Sequence, residues 1–171
     1  GKAVGVDSTT LEADAAMKSI VRRDTGEAWK EYLTRLMKEE GLIEEGDDPP
    51  SDDELRKFDK SRENKKVSNA EWVSETDSDA RIAKMKDGTT HLAYKAEHVL
   101  DLQTEAILAA EIYHADFGDT HTLEDSLHTA QINLQEAGSQ TEIRDTVADK
   151  GYHSNGTLTE LHKHTTYRSY I

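Results

Sequence analysis

The chain contains no cysteine, and this absence excludes several kinds of site at once. Without thiols the protein forms no disulfide, no thiolate metal site and no cysteine nucleophile. Its apolar runs are interrupted by charge well before the roughly 20 residues that a membrane span needs, and the first residues lack the layout of a signal peptide. We therefore expect a cytoplasmic protein.

Positive charge is also scarce, because 21 lysines and arginines face 35 aspartates and glutamates, for a net charge of −14. Such a surplus should repel phosphates and weaken the capture of nucleic acid. The segment from Glu54 to Lys95 departs from this balance, with ten basic residues against eight acidic ones. This split is compatible with one DNA-facing segment on an acidic body, and equally with a solvated surface of mixed charge.

Both prolines fall in one short acidic stretch, residues 44–53, which also contains Gly46 and predicts a loop. Before it, a strand over 2–6 is followed by helix-like sequence from about residue 10 to Gly41. After it, residues 56–86 have few apolar side chains, so we expect irregular structure or short helices there. We interpret residues 10–86 as an insertion into a single domain that spans residues 1–171.

Patterning becomes regular after this insertion. It predicts strands over 89–102 and 105–114, a helix from Asp119 or Thr120 to Gly138, a strand over 141–148, a helix over 155–164 and a strand from 167. Apart from the insertion the order is β-β-β-α-β-α-β. This order predicts an α/β fold, with an antiparallel hairpin beside parallel strands and helices covering a mixed sheet.

Two aspartates follow predicted strands that are far apart in the sequence. Asp7 comes after residues 3–6, and Asp149 comes after residues 143–148. A carboxylate at the end of a buried strand is costly unless a cation, a proton or hydrogen-bond donors compensate it. Two such carboxylates on neighbouring strands suit a hard divalent metal ion.

Each acidic candidate also has a simpler interpretation. Asp7 precedes Ser-Thr-Thr and could cap a following helix. Asp116 and Asp119 form a rival acidic pair, but they precede a predicted helix, so capping is favoured for both. Asp116 remains the runner-up second metal ligand.

Other chemistries find less support. The eight histidines, among them His98 and the pair His162 and His164, show no closed zinc-ligand spacing. Ser8 lacks the Gly-x-Ser-x-Gly context and the histidine of an acyl-transfer nucleophile. Trp72 could stack on a DNA base, although an isolated tryptophan more often fills a local apolar patch.

Four stretches of the sequence resemble bacterial insertion-sequence transposases of the DDE type. They are Val-Asp-Ser-Thr-Thr-Leu-Glu-Ala at 6–13, the segment 80–95 with Lys-Asp-Gly-Thr-Thr-His-Leu-Ala-Tyr-Lys, Ala-Asp-Phe-Gly-Asp-Thr at 115–120, and Ala-Asp-Lys-Gly-Tyr-His-Ser at 148–154. One short match would be weak, but the set stands in the expected order along most of the chain.

The resemblance implies a ribonuclease-H-like fold of the retroviral-integrase type, in which Asp7 and Asp149 lie on the first and fourth strands. It implies that these two residues are catalytic and bind Mg²⁺ or Mn²⁺, with Asp7 bridging two ions and Asp149 holding one. The activity implied for the parent protein is cleavage of transposon DNA and strand transfer, which is DNA recombination. Its partners would be transposon ends and target DNA, and a homodimer of the full-length protein is left open.

The expected contacts with DNA come from basic residues and from the turn after the fourth strand. They are Lys65, Lys66, Arg81, Lys84, Lys86, Lys150 and Tyr152. The family's third acid would come from a helix after the last strand, and Glu160 lies before that strand, so we do not assign it. Because the chain starts at Gly1 and stops early, we expect a catalytically silent fragment. The alternative is a noncatalytic remnant or acidic scaffold that keeps only the fold.

Overall fold

The computed structural model describes residues 2–63, 65–66, 68–164 and 167–171. Thr157, Glu160 and residues 162–164 have undescribed side chains, so the predictions for Glu160, His162 and His164 fall outside the described residues. The chain forms two compact units, one of residues 1–12 and 93–171 and one of residues 13–92. We refer to them as the sheet unit and the helical unit.

The described chain contains eight strands and five α-helices. In chain order they are β1 (Ala3–Glu12), β2 (Ile20–Arg22), α1 (Trp29–Glu39), α2 (Asp52–Ser61), α3 (Ser68–Glu71), β3 (Trp72–Ser74), β4 (Arg81–Lys84), β5 (Thr90–Asp101), β6 (Ile107–His114), α4 (Asp119–Glu136), β7 (Asp145–Ala148), α5 (Asn155–His164) and β8 (Arg168–Tyr170). Short 3₁₀ turns occupy Met17–Ser19 and Lys150–Tyr152.

The sheet unit is built on five strands in the order β6-β5-β1-β7-β8. The pairs β1–β5 and β5–β6 are antiparallel, whereas β1–β7 and β7–β8 are parallel. β5 and β6 form the predicted hairpin, and α4 and α5 supply the crossovers that parallel strands require. The mixed sheet flanked by helices confirms the predicted α/β class and the predicted element order of this part.

One face of this sheet packs on α4 and α5. Alternate residues of the strands, such as Val4 and Val6 of β1, are buried against Leu123 and Leu127 of α4 and against Leu161 of α5. Two residues after the end of α4, Gly138 adopts a left-handed backbone conformation with φ +77°. A residue with a side chain would be strained there. The opposite face carries apolar side chains that stay exposed, among them Ile112, Val147 and Tyr170.

The helical unit has its own small core. Leu33 and Met37 of α1 pack against Leu55 and Phe58 of α2, and α2 begins with a capping box in which Ser51 and Glu54 exchange hydrogen bonds. The unit also contains the β2–β3 ribbon and β4. Trp72 is buried in this unit and meets the ring of Tyr32 edge to face at 5.5 Å, as the interpretation as a local apolar plug predicts.

Two predictions about the first part of the chain are wrong. β1 does not end at Val6 but continues to Glu12, because it pairs with β5 along its whole second half, from Asp7 opposite His98 to Glu12 opposite Ala93. Asp7 therefore lies within a strand and caps no helix. The helix-like sequence from residue 10 gives an α-helix only from Trp29 onward, after the 3₁₀ turn and β2.

Candidate functional site

Asp7 and Asp149 come directly after paired residues of two parallel strands. The last paired residues of β1 and β7 are Val6 and Ala148, and each aspartate is next in its chain. Asp149 keeps an extended backbone, with φ −76° and ψ 172°. Neighbouring strands are about 4.8 Å apart. The two aspartates therefore follow one pair of neighbouring residues at the end of the β1–β7 ladder.

Both aspartates are exposed and accept local backbone hydrogen bonds. Oδ1 of Asp7 accepts the N–H of Ser8 at 2.8 Å, and Oδ1 of Asp149 accepts the N–H of Gly151 at 2.7 Å. Because side chains alternate along a strand and Val6 faces α4, Asp7 points to the opposite face of the sheet. On the other side of Asp7, its partner in β5 is His98, which is half-buried.

On the α4 face of the sheet lies a buried glutamate that sequence reasoning missed. Glu97 is fully buried, and its Oε2 accepts hydrogen bonds from Tyr152 at 2.9 Å and from Thr122 at 2.7 Å. Its Oε1 accepts from Ser126 at 2.6 Å. Lys95 provides the compensating charge, with 3.0 Å between Nζ and Oε2. The carboxylate is thus surrounded by donors, as a buried charge must be.

The sequence carries a signal that could have located this network. Lys95 and Glu97 stand two residues apart in a strand whose alternate side chains face the core, so both charges point inward. Thr122 and Ser126 stand four residues apart on α4, which places their hydroxyls on one face of that helix. Two inward charges opposite two small hydroxyl residues predict a buried polar cluster.

Asp119 connects this network to the acidic pair, and its predicted role as a helix cap is wrong. The N-cap of α4 is Gly118, which has no side chain that could cap the helix. Asp119 is the first helical residue. Its Oδ1 accepts from Ser8 Oγ at 3.0 Å and lies 2.7 Å from Nζ of Lys95. The rival residue Asp116 lies exposed in the turn before α4.

Gly151 lies between two carboxylates. A Cβ atom added at Gly151 would stand 2.8 Å from Oδ2 of Asp119 and 2.9 Å from Oδ1 of Asp149. Real Cβ atoms essentially never show such short contacts. The carboxylates of Asp119 and Asp149 therefore face the same small space, which only glycine leaves open.

Tyr152, which the sequence predicts to contact DNA, is buried in the sheet unit. Its side chain is 1 % exposed, and its hydroxyl donates to Glu97 in the core. Burial, together with the nearby Glu97 carboxylate, raises the pKa of the Tyr152 phenol well above its usual value. Tyr152 thus attaches the turn after Asp149 to the core of the sheet unit.

In a comparison with protein-family models, residues 6–169 match a model described as "Transposase DDE domain". The chain belongs to the transposase DDE domain family. This confirms the resemblance of the sequence words, and the mixed sheet is consistent with a ribonuclease-H-like DDE fold. No curated protein matches the chain significantly. No solved structure does so either.

Membership implies participation in DNA transposition, a general dependence on divalent metal, and DNA as a partner. Within the described residues of this transposase domain, no helix is long and apolar enough to cross a membrane. Among those residues, no three side chains of histidine, aspartate or glutamate come together as a ready metal-ligand cluster.

The donor set nevertheless fits a hard divalent cation in kind. Asp7 and Asp149 offer exposed carboxylate oxygens, the ligand type that Mg²⁺ prefers. Within the described residues, neither aspartate forms an ion pair. The residue type and exposure of both aspartates are therefore compatible with a hard divalent cation.

The predicted DNA-contacting lysines of the transposase domain lie in two places. Lys150 is exposed directly after Asp149 in the sheet unit. The others belong to the helical unit, where Lys66, Lys84 and Lys86 are exposed, whereas Lys65 pairs with Asp59. Arg81 donates to the carbonyl groups of residues 78–80, so its guanidinium is partly engaged. Their contact with DNA stays a prediction.

Proposed function

We propose that Asp7 and Asp149 are the metal-binding carboxylates of this transposase domain, and that the protein cleaves transposon DNA and joins it to target DNA. The observation that supports this proposal best is the register of β1 and β7, whose last pair, Val6 and Ala148, comes directly before the two aspartates. Divalent ions held there would lower the pKa of an attacking water and stabilise the leaving oxygen. The chain's own contribution would be the oxygen ligands that hold the ions.

Surrounding residues would keep these carboxylates oriented. The N–H groups of Ser8 and Gly151 each donate to one of them. Each bond also fixes a rotamer of the carboxylate it reaches. The second oxygen of each aspartate then stays available to a cation.

We expect weak binding of Mg²⁺ or Mn²⁺, because the described residues offer no third ligand at this site. The test is a titration of the chain with Mn²⁺ while NMR follows the broadening of backbone amide signals. Signals of residues 5–9 and 148–152 should broaden first. Asp7→Asn and Asp149→Asn should each abolish this selective broadening.

A matched control is Asp125→Asn, which removes the same charge from an exposed position on α4 of the same unit. This variant should bind Mn²⁺ as the unaltered chain does. If the selective broadening survives both Asp7→Asn and Asp149→Asn, or is absent at millimolar Mn²⁺, the metal site is refuted. The noncatalytic scaffold then becomes the better description.

We further propose that the basic residues of the helical unit bind DNA phosphates. Lys84 and Lys86 are exposed, and their double change to glutamine should weaken the binding of a labelled duplex at low salt. It should also reduce the slope of log K against log salt by about 0.9 for each lost phosphate contact. Lys18 and Lys38 are exposed lysines outside the basic segment, so Lys18→Gln with Lys38→Gln is the control. Equal effects of the two double variants would contradict the proposal.

A further inference from the structure

Asp119 touches both chain segments that carry the acidic pair. Through Oδ1 it accepts the hydroxyl of Ser8, the residue directly after Asp7. Through Oδ2 it lies against Gly151, two residues after Asp149. One carboxylate on α4 therefore spans from the β1 side of the site to its β7 side.

Lys95 holds this carboxylate in place. Its ammonium group lies 2.7 Å from Oδ1 of Asp119 and 3.0 Å from Oε2 of Glu97, and it donates to the hydroxyl of Thr122 at 2.7 Å. The side chain of Lys95 is only 7 % exposed. An ammonium group has three donors, and here each has an acceptor, so the group has no free rotamer to which it could turn.

The backbone alone does not fix the spacing of the acidic pair. Ladder pairing between β1 and β7 stops at Val6 and Ala148, one residue before the aspartates. Beyond that point two like charges on adjacent strands repel each other. A contact that reaches both segments would therefore influence their separation.

We propose that Asp119, held by Lys95, is a positioning residue that sets the separation of Asp7 and Asp149. It ties Ser8 on one side and stops Gly151 from moving inward on the other. The consequence for metal binding rests on the function proposed above. The separation itself is a property of the metal-free chain and is measured without metal.

The natural lack of cysteine provides the measurement. In a variant with Asp7→Cys and Asp149→Cys, the two cysteines directly follow the paired residues Val6 and Ala148. The usual spacing of neighbouring strands, about 4.8 Å, lies within the Cα–Cα range that a disulfide bridges. The equilibrium of this disulfide against glutathione gives the effective concentration of one thiol at the other. We expect Asp119→Ala to lower that concentration about tenfold, because the link between the segments is lost.

Asp119→Asn is the conservative variant. The amide retains the volume of the side chain and an oxygen that accepts from Ser8 and Lys95, so the effective concentration should stay within about twofold of the parent value. Lys95 keeps Glu97 and Thr122 as partners in both variants, so the buried cation is not orphaned. Urea unfolding of each variant verifies that the sheet unit remains folded.

Two controls separate positioning from a general loss of structure. A second cysteine pair at Ala3 and Asp145 joins the other end of the same two strands, where Asp119 should have no effect. Asp125→Ala removes an exposed aspartate from the same helix and should leave both disulfides unchanged. If Asp119→Ala leaves the 7–149 equilibrium unchanged, or lowers the 3–145 equilibrium equally, the proposal is overturned.

Titration of the cysteine-free variants with Mn²⁺ then separates the two proposals. Where both hold, Asp119→Ala weakens the selective Mn²⁺ binding and Asp119→Asn restores it. A 7–149 equilibrium that depends on Asp119 in a chain that binds no Mn²⁺ supports positioning and refutes the metal site. Mn²⁺ binding that needs both Asp7 and Asp149 but is the same after Asp119→Ala supports the metal site and refutes positioning.

Discussion

Lys95 and Glu97, two residues apart on β5, form an ion pair in the interior of the sheet unit, with 3.0 Å between Nζ and Oε2. Both side chains point to the face that packs on α4, where Thr122 and Ser126 also donate to or accept from the pair. Buried ion pairs bring a large desolvation cost and persist only when every donor and acceptor is satisfied. Through Tyr152 and Asp119, the Lys95–Glu97 pair contacts residues close in sequence or space to Asp149.

Glu97→Leu should destabilise the chain more than Lys95→Met does. Loss of the glutamate removes the acceptor of three hydroxyl groups and leaves the buried ammonium with Asp119 alone as its charge partner. Loss of the lysine leaves the carboxylate with three hydroxyl donors. Breaking a buried pair costs about 3–5 kcal/mol, and we expect Lys95→Met near the lower value and Glu97→Leu near the upper one.

The measurement is the free energy of unfolding in urea, with Glu136→Gln as the control. Glu136 is exposed at the end of α4, so its change should stay within about 0.5 kcal/mol of the parent. A smaller loss for Glu97→Leu than for Lys95→Met would show that the hydroxyl groups do not depend on this carboxylate.

Gly151→Ala should reduce the selective binding of Mn²⁺ although it changes no charge. The new methyl group would stand within 3 Å of carboxylate oxygens of Asp119 and Asp149, and it would displace one of them. Gly156→Ala is the matched control, because the nearest atom to its added Cβ is Ser154 Oγ at 3.8 Å. Amide broadening by Mn²⁺ at residues 148–152 is the measurement, and equal binding by the two variants would contradict the expectation.

Tyr152 should make stability fall at alkaline pH. Burial raises the pKa of its phenol above the value of 10.0 that the unfolded chain has, so the folded state keeps a proton that the unfolded state loses. This contribution is complete below pH 10 and is lost as the pH rises above it, at about 1.4 kcal/mol for each pH unit. Urea unfolding at pH 9 and pH 11 measures the effect.

Tyr152→Phe serves as the reference for that pH dependence. It should cost about 1–2 kcal/mol at neutral pH, because Glu97 loses one donor. Its further loss between pH 9 and pH 11 should be smaller than that of the parent, since Tyr113 and Tyr167, whose pKa values burial also raises, remain in both. Equal losses would mean that the Tyr152 phenol titrates normally.

Ser51→Ala should weaken helix α2 by about 1 kcal/mol, which is the usual value of an N-cap side chain. Ser51 accepts the N–H of Glu54, and Glu54 in turn accepts the N–H of Ser51 at 2.8 Å. The measurement is amide hydrogen exchange in residues 52–61. In a double-mutant cycle with Glu54→Ala the two losses should not add, because both changes break the same box, and additive losses would contradict this.

The regular part of the fold follows from patterns in the sequence alone, and so does the choice of Asp7 and Asp149 as candidate metal ligands. Long alternating runs and a well-bounded amphipathic segment predict β5, β6, α4 and α5 because their periodicity follows directly from which face is buried. The motif around Asp149 is recognisable because four motifs similar to those of the family occur in the expected order along the chain. Local patterns of this kind need no knowledge of distant partners.

Three features depend on contacts between distant parts of the chain. They are the length of β1, the ion pair of Asp119 with Lys95, and the burial of Lys95, Glu97 and Tyr152. β1 continues past Asp7 because β5 pairs with it, and strand pairing between residues about 90 positions apart leaves no local trace in the sequence. Local sequence patterns favour Asp119 as a helix cap. In the folded chain its carboxylate instead forms an ion pair with the ammonium group of Lys95, which comes from another strand. A charge 2.7 Å away outweighs the modest gain of capping a helix, and that distance exists only once the chain has folded.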